Sequence, residues 1–220
     1  MNISQYKTFI FDCDGVILDS NKLKTSAFYH CVESYGRETA DRFVQYHIAN
    51  GGVSRYKKFD YFFSDILGVP VNISEKRYLL ELYARIVRVG LMTCDIAPSL
   101  YALRKKTPDA VWMVASGGDQ SELREIFDAR NLSVLFDGGI FGSPDDKRDI
   151  VKREVSSSAL MKPALLIGDS QLDHKVAKAE DIDFVFVYKW SEFSQWQAYC
   201  KENNILCIPD LVELNQNHSS

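Results

Sequence analysis

An apolar run that ends in two carboxylates, Phe9-Ile10-Phe11-Asp12-Cys13-Asp14-Gly15, constrains this 220-residue chain more than any other feature. Its apolar part is short and continuous, which suits a strand buried on both faces better than one with a wet face. Similar runs recur at residues 110–115, 164–167 and 184–188, and a shorter one at 205–208 precedes Pro209. Between the later runs the apolar period changes. Leu123, Ile126 and Phe127 share one helical face within 119–130, and Ile150, Val151 and Val155 do so within 147–160. Strands alternating with helices predict an α/β fold, with a Rossmann-like, doubly wound parallel sheet covered on both faces.

Residues 19–93 follow another pattern. Phe28, Cys31, Val32 and Tyr35 fall on one helical face, and Leu79, Leu82, Ile86 and Val89 on another. Between them lies a segment rich in aromatic residues and lysine, from Arg55 to Phe63. The expected organisation is an α/β core, 1–18 and 94–220, with a helical cap subdomain, 19–93, inserted after the first strand. Inserts of this kind often close over active sites. The chain is long enough to bury such a core without staples.

Composition narrows the function. Hydrophobic residues make up 46% and charged residues 25%, which excludes disorder and a small disulfide scaffold. The balance of 26 Lys+Arg against 30 Asp+Glu, net −4, argues against general affinity for nucleic acid or anionic membranes. Five cysteines without a CxxC pair read as reduced thiols in a cytoplasmic protein with no zinc site. No segment reads as a signal peptide or membrane span. Asp12 and Asp14 interrupt the most apolar N-terminal run, and the first strand begins almost at Met1. Oligomeric state is not readable.

The chemistry gathers at strand ends, where open α/β sheets bind ligands. Asp12 and Asp14 leave the first strand with Gly15 to turn the chain; taken alone, the pair suits a solvated turn as well as catalysis. A second strand runs into Ser116-Gly117-Gly118-Asp119. Ser116 reads as a helix N-cap, or as a hydroxyl that faces an anion together with the backbone N–H groups after it. A third runs into Gly168-Asp169-Ser170-Gln171-Leu172-Asp173, and Lys147 opens the helical segment between them. Four carboxylates in one cleft would repel unless a cation shared them, and hard oxygen ligands favour Mg²⁺. A lysine and a helix N-terminus beside that metal suit a phosphoryl group.

In this order the four segments resemble the motifs of the haloacid dehalogenase superfamily of Mg²⁺-dependent phosphohydrolases. The resemblance implies that Asp12 is the nucleophile, forming an aspartyl-phosphate, and that Asp14 is the general acid/base, arriving protonated. It also implies that Ser116 and Gly117 hold the phosphoryl group and that Lys147 neutralises charge. The metal set would be Asp12, Asp14 through its backbone carbonyl, Asp169 and Asp173. Dehalogenases and phosphonatases lack an acid at the Asp14 position, so a phosphatase or phosphomutase is expected. The third motif departs from the Lys-Pro common among relatives; Lys147 is favoured, and Lys162, before Pro163, is the alternative.

The insertion resembles the cap of the phosphoglycolate phosphatase and β-phosphoglucomutase branch. Its segment Asn50-Gly51-Gly52-Val53-Ser54-Arg55 is similar to the glycine-valine-serine-arginine loop of the mutase, so Asn50, Gly52 and Arg55 are expected to contact substrate. Read without the resemblance, the same segment is a helix–helix turn with a solvated arginine. His47, Lys57 and Lys58 read as surface residues, and Phe59, Tyr61, Phe62 and Phe63 as cap core. The expected activity is Mg²⁺-dependent hydrolysis of a small phosphorylated metabolite, either a sugar phosphate or a phosphoglycolate-like monoester. A phosphomutase is the alternative within the same chemistry. A phospho-signalling receiver and a non-catalytic phospho-ligand-binding protein are the alternatives from other classes.

Overall fold

The protein is described by a computed structural model covering residues 1–157 and 160–216. Strand β1 (Thr8–Phe11) is followed by four helices, α1 (Asn21–Val32), α2 (Arg37–Ala49), α3 (Arg55–Tyr61) and α4 (Ile73–Leu91). Then come α5 (Leu100–Lys106), β2 (Val111–Asp119), α6 (Gln120–Ala129), β3 (Ile140–Ser143) and α7 (Lys147–Ser156). The chain closes with β4 (Ala164–Gly168), α8 (Gln171–Ala179), β5 (Asp183–Val187), α9 (Trp196–Glu202), β6 (Leu206–Ile208) and α10 (Val212–Asn215).

All strand pairings are parallel, in the order β3-β2-β1-β4-β5-β6. β1 is therefore interior, and its four residues are all buried, which explains the unbroken apolar run. Phe9 and Phe11 point to one face, where they meet Trp112, Leu123 and Phe127, whereas Ile10 joins Met113, Ile150, Val151 and Val176 on the other. From β1 the strand order runs outward in both directions, so a crevice opens at the carboxyl ends of β1 and β4. The doubly wound α/β expectation holds.

Two local expectations change. β2 continues to Asp119, past the expected end at 115, because Asp119 still pairs with Ser143 after a register shift. β3 had no sequence signal: only Ile140 and Phe141 are apolar, and Gly142 follows them. That glycine has a packing reason, since a Cβ there would lie 2.4 Å from the Gly118 carbonyl oxygen.

Helices α1 to α4 enclose an aromatic cluster. Phe28 lies 4.3 Å from Tyr83, 5.4 Å from Phe43 and 5.6 Å from Phe59, centroid to centroid. Phe59, Phe62 and Phe63 are buried as expected, and Tyr61 stacks on Tyr46. On α4 the buried face is Leu79, Tyr83, Val87 and Leu91, so Val89 faces solvent instead of the core. A spacing of four keeps Tyr83 at the centre of the contact and leaves Leu82 and Ile86 at its edge. Among the described residues no helix is long and apolar enough to cross a membrane.

Phe43 is fully buried against Phe28, Phe59 and Phe62. Phe43→Ala is expected to cost about 3–5 kcal/mol in urea unfolding, through lost burial and the cavity left behind.

Candidate active site

Register brings the acidic strand ends together. Phe11 pairs with Ile167, and the Asp12 N–H carries the ladder one step further by donating to the Ile167 carbonyl (2.9 Å). Asp12 and Asp169 are thereby placed side by side just past their strands. Gly15 makes the approach possible: its φ is +79°, and a Cβ would meet Asp169 Oδ2 at 2.2 Å. Asp173 sits one turn into α8 in a capping box, where Ser170 Oγ donates to its Oδ2 (2.6 Å).

Lys147, the first residue of α7, ties these groups together. Its Nζ lies 2.8 Å from Asp12 Oδ1 and 2.5 Å from Asp173 Oδ1, and its side chain is 1% exposed. Asp12 Oδ1 also accepts from the Cys13 N–H (2.7 Å), so the first strand's acid is held in one orientation. Lys162 points elsewhere, donating to the Glu180 carbonyl (3.0 Å) and Asp181 (3.2 Å) at the surface. Lys147 is the lysine that the fold brings to the acids.

The electrostatics leave this group short of positive charge. Carboxylate oxygens of Asp12, Asp169 and Asp173 lie within 4.8 Å of one another, all three residues are buried, and among the described residues a single ammonium, that of Lys147, pairs with two of them. Burial pushes the Asp12 carboxyl up to about 7, against the pull of Lys147, with Asp173 and Asp14 adding repulsion. Burial and the neighbouring Asp12 and Asp173 raise Asp169 well above the usual range. Oxygen donors, buried and mutually repelling, suit a hard divalent cation. Both oxygens of Asp173 are already engaged by Lys147 and Ser170, whereas Asp12 Oδ2 and Asp169 Oδ1 accept no hydrogen bond from the described residues.

Asp14 is set apart from the other three acids by its side chain. Its carboxylate is outside this cluster, bonded to Lys24 Nζ (2.6 Å) and Ser20 Oγ (2.5 Å). Burial alone would raise its carboxyl, but Lys24 and Ser20 outweigh that and hold it below the ordinary carboxylate range. Lys24 and Ser20 thus favour the charged form of Asp14. Ser116 is fully buried, and its Oγ accepts from the Gly118 N–H (3.0 Å). It does not cap α6; Asp119 does, accepting from the Glu122 N–H (3.0 Å).

A cavity over the strand ends is lined by Asp12, Asp14, Gly117 and Asp169 from one side and by Asn50, Gly52 and Arg55 from the other. Gly52 and Gly117 meet backbone to backbone, since a Cβ on Gly117 would lie 2.1 Å from the Gly52 carbonyl oxygen. Asn50 Nδ2 donates to the Tyr46 carbonyl (2.8 Å) and ends α2. Arg55 is buried and ion-paired with Glu122, with Tyr83 under its guanidinium at 4.7 Å. The solvated-arginine reading is thus overturned, although its charge already has a partner. Tyr56 and Lys57 extend the same junction, to Asp119 (2.6 Å) and Asp146 (2.5 Å).

Several site residues were not found from sequence. Asn21 donates to Asp169 (2.7 Å), Ser191 Oγ to the Asp169 carbonyl (2.6 Å), and Ser20 and Lys24 hold Asp14. Extending the Phe28 face back by one and two helical turns reaches Lys24 and Ser20, which is a readable signal. His47 and Lys58, expected at the surface, are buried and line the cavity.

No protein-family model matches the sequence, and no curated protein sequence does. The fold does have counterparts among solved structures. A predicted phosphatase from Clostridium acetobutylicum superposes with a TM-score of 0.73 at 17% identity, over 96% of this chain and 97% of that one. A haloacid dehalogenase-like family hydrolase from Streptococcus pneumoniae gives 0.68 at 18% identity, over 96% and 98%. A β-phosphoglucomutase from Clostridium difficile gives 0.72 at 17% identity, over 95% and 93%. The chain has the haloacid dehalogenase-like fold along nearly its whole length.

If the acidic cluster holds a divalent cation, millimolar Mg²⁺ should raise the melting temperature of metal-stripped protein by about 3–6 °C. Asp169→Asn should abolish that rise, read by differential scanning fluorimetry with and without chelator.

Proposed function

We propose that the protein is a Mg²⁺-dependent phosphomonoester hydrolase acting through an aspartyl-phosphate on Asp12. The observation that carries this reading is the buried Asp12–Lys147–Asp173 contact at the end of β1, with Asp169 alongside. Similarity of fold to phosphatases and a phosphoglucomutase supports the same class. The substrate is a small phosphorylated metabolite held between the strand ends and the 50–55 loop. In this reading residues 19–93 act as a cap over the core. The five free thiols suit a reducing, cytoplasmic setting.

Asp12, Asp169 and, behind them, Asp173 would hold Mg²⁺, with the Asp14 carbonyl as a further oxygen ligand; bound there it neutralises phosphoryl charge. The chain's own residues do the rest. Asp12 must be ionised to attack phosphorus, and Lys147 favours its charged form against the cost of burial. Lys147 also fixes Oδ1, leaving Oδ2 free of protein partners for the attack. The new Asp12–phosphorus bond forms as the ester oxygen leaves with a proton from Asp14, which is thereby ionised. Water then attacks the aspartyl-phosphate, gives its proton to the ionised Asp14, and releases phosphate and Asp12. Lys24 and Ser20 keep Asp14 in the base form that this second half requires. The Gly117 backbone beside the cavity, braced by Ser143 Oγ donating to the Gly117 carbonyl (2.8 Å), completes the phosphoryl seat.

A phosphomutase is the second reading. It is favoured by the direct backbone contact between Gly52 and Gly117, which narrows the path for water over the strand ends.

With Mg²⁺, the wild-type protein should hydrolyse an aryl phosphate, and Asp12→Asn should abolish release of the phenolate altogether. Asp14→Asn should still release about one phenolate per site in a burst and then stall, since only the second half needs its base. Stopped-flow absorbance with a parallel phosphate assay separates these outcomes. Wild-type inactivity on aryl phosphates and a sugar-phosphate panel would overturn the hydrolase reading, and activation by a sugar bisphosphate would favour the mutase.

A further inference from the structure

Four cationic side chains other than histidine are buried in the described structure: Lys24, Arg55, Lys58 and Lys147. Three have anionic partners, Asp14, Glu122 and the Asp12–Asp173 pair respectively. Lys58, 2% exposed on α3, has no carboxylate within ion-pair reach among the described residues. Its Nζ lies 2.6 Å from His47 Nδ1 and 3.4 Å from the His47 carbonyl.

The neighbouring bonds show how this lysine is held. Thr25 Oγ1 donates to Glu192 Oε2 (2.5 Å), and an ionised carboxylate can only accept. With its proton committed there, Thr25 Oγ1 accepts from His47 Nε2–H (3.0 Å). His47 Nδ1 then carries the lone pair and accepts from Lys58. Burial and the nearby Lys58 and Lys24 keep the imidazole neutral, well below its usual pKa. The directed chain Lys58→His47→Thr25→Glu192 therefore orients the lysine without neutralising it.

An ammonium buried without an anion is costly, and here burial lowers Lys58 to about 7. Phe28 lies beneath it at 5.5 Å, so the surroundings offer little polarity in return. Lys58, Lys24 and Asp12 line the same cavity, so a ligand seated there faces both Asp12 and Lys58. A single ammonium beside a neutral imidazole matches one negative charge. A phosphate dianion is better served by an arginine fork or several donors.

We propose that Lys58 determines specificity by binding a carboxylate, so that the substrate is a small phosphorylated carboxylic acid. This rests on the phosphohydrolase reading above. Lys58 takes the carboxylate while the phosphoryl group lies at Asp12, and the His47–Thr25–Glu192 chain aims the ammonium.

Matched pairs that differ only in the carboxylate test it: phosphoglycolate against 2-hydroxyethyl phosphate, and 3-phosphoglycerate against glycerol 3-phosphate. The wild-type protein should favour the acid in kcat/KM in at least one pair. Lys58→Met and Lys58→Gln should each cut that acid-to-alcohol ratio by about 10- to 100-fold, mainly through KM, the scale of a lost hydrogen bond to a charged group. Two variants are used so that one folded protein suffices, with circular dichroism and melting temperature as the check. A wild-type ratio near one in both pairs, or a ratio unchanged by either folded variant, overturns the proposal. Failure to hydrolyse even an aryl phosphate would sink the hydrolase reading instead. Calorimetric binding of the same pairs to the Asp12→Asn protein, with and without Lys58→Met, then decides the lysine's role: an acid preference lost on substitution upholds it, and no preference overturns it.

Discussion

The buried ammonium of Lys147 is the interaction on which the rest of the site depends. Three carboxylates converge at the ends of β1 and β4 because the parallel register puts Phe11 beside Ile167 and α8 starts within one turn of β4. Without a cation between them, Asp12 and Asp173 would face each other as bare buried charges. A buried pair of this kind is weak evidence for stability, since desolvation offsets most of the Coulomb gain, but removing one partner typically costs about 3–5 kcal/mol. The same geometry makes the site a poor place to save folding energy. The surplus negative charge that Lys147 leaves uncompensated is what suits the cluster to a divalent cation.

A second buried pair, Lys24–Asp14, divides the two motif acids into different environments. Asp12 is raised by burial and by its acidic neighbours; Asp14 is lowered by a lysine on the adjoining helix. Carboxylates two residues apart can take different roles only if their surroundings differ, and here α1 supplies the difference. The first helix after β1 therefore sets the surroundings of a motif acid as well as walling the aromatic cluster, with Lys24 and Phe28 on one face.

The junction between the helical segment and the sheet is ionic at its rim and tightly packed at its centre. Arg55–Glu122, Tyr56–Asp119 and Lys57–Asp146 join α3 to the region of β2, α6 and α7. Between them the Gly52 and Gly117 backbones touch. Gly117 is what allows this contact, because a Cβ there would lie 2.1 Å from the Gly52 carbonyl oxygen. Gly117 thus serves an approach between two parts of the chain, and Arg55 pairs across the junction with Glu122.

What could be read from the residues alone was whatever depends on local pattern. The unbroken run at Thr8–Phe11 identified an interior strand, alternation of periods identified the α/β sheet, and acids at strand ends located the crevice. These follow from burial and pleat, which each segment carries by itself. β3 was not legible, because a strand of two apolar residues and a glycine has no periodicity to detect. The partners of the charged residues were not legible either. Lys58 and His47 look like surface residues in sequence, since nothing local distinguishes a solvated lysine from one folded against a distant part of the chain. Which acid is ionised, which lysine is paired and which is left without a carboxylate were decided by the packing of α1 and α3 over the sheet, because Coulomb energies depend on distance and burial, and both are set only when the chain closes on itself.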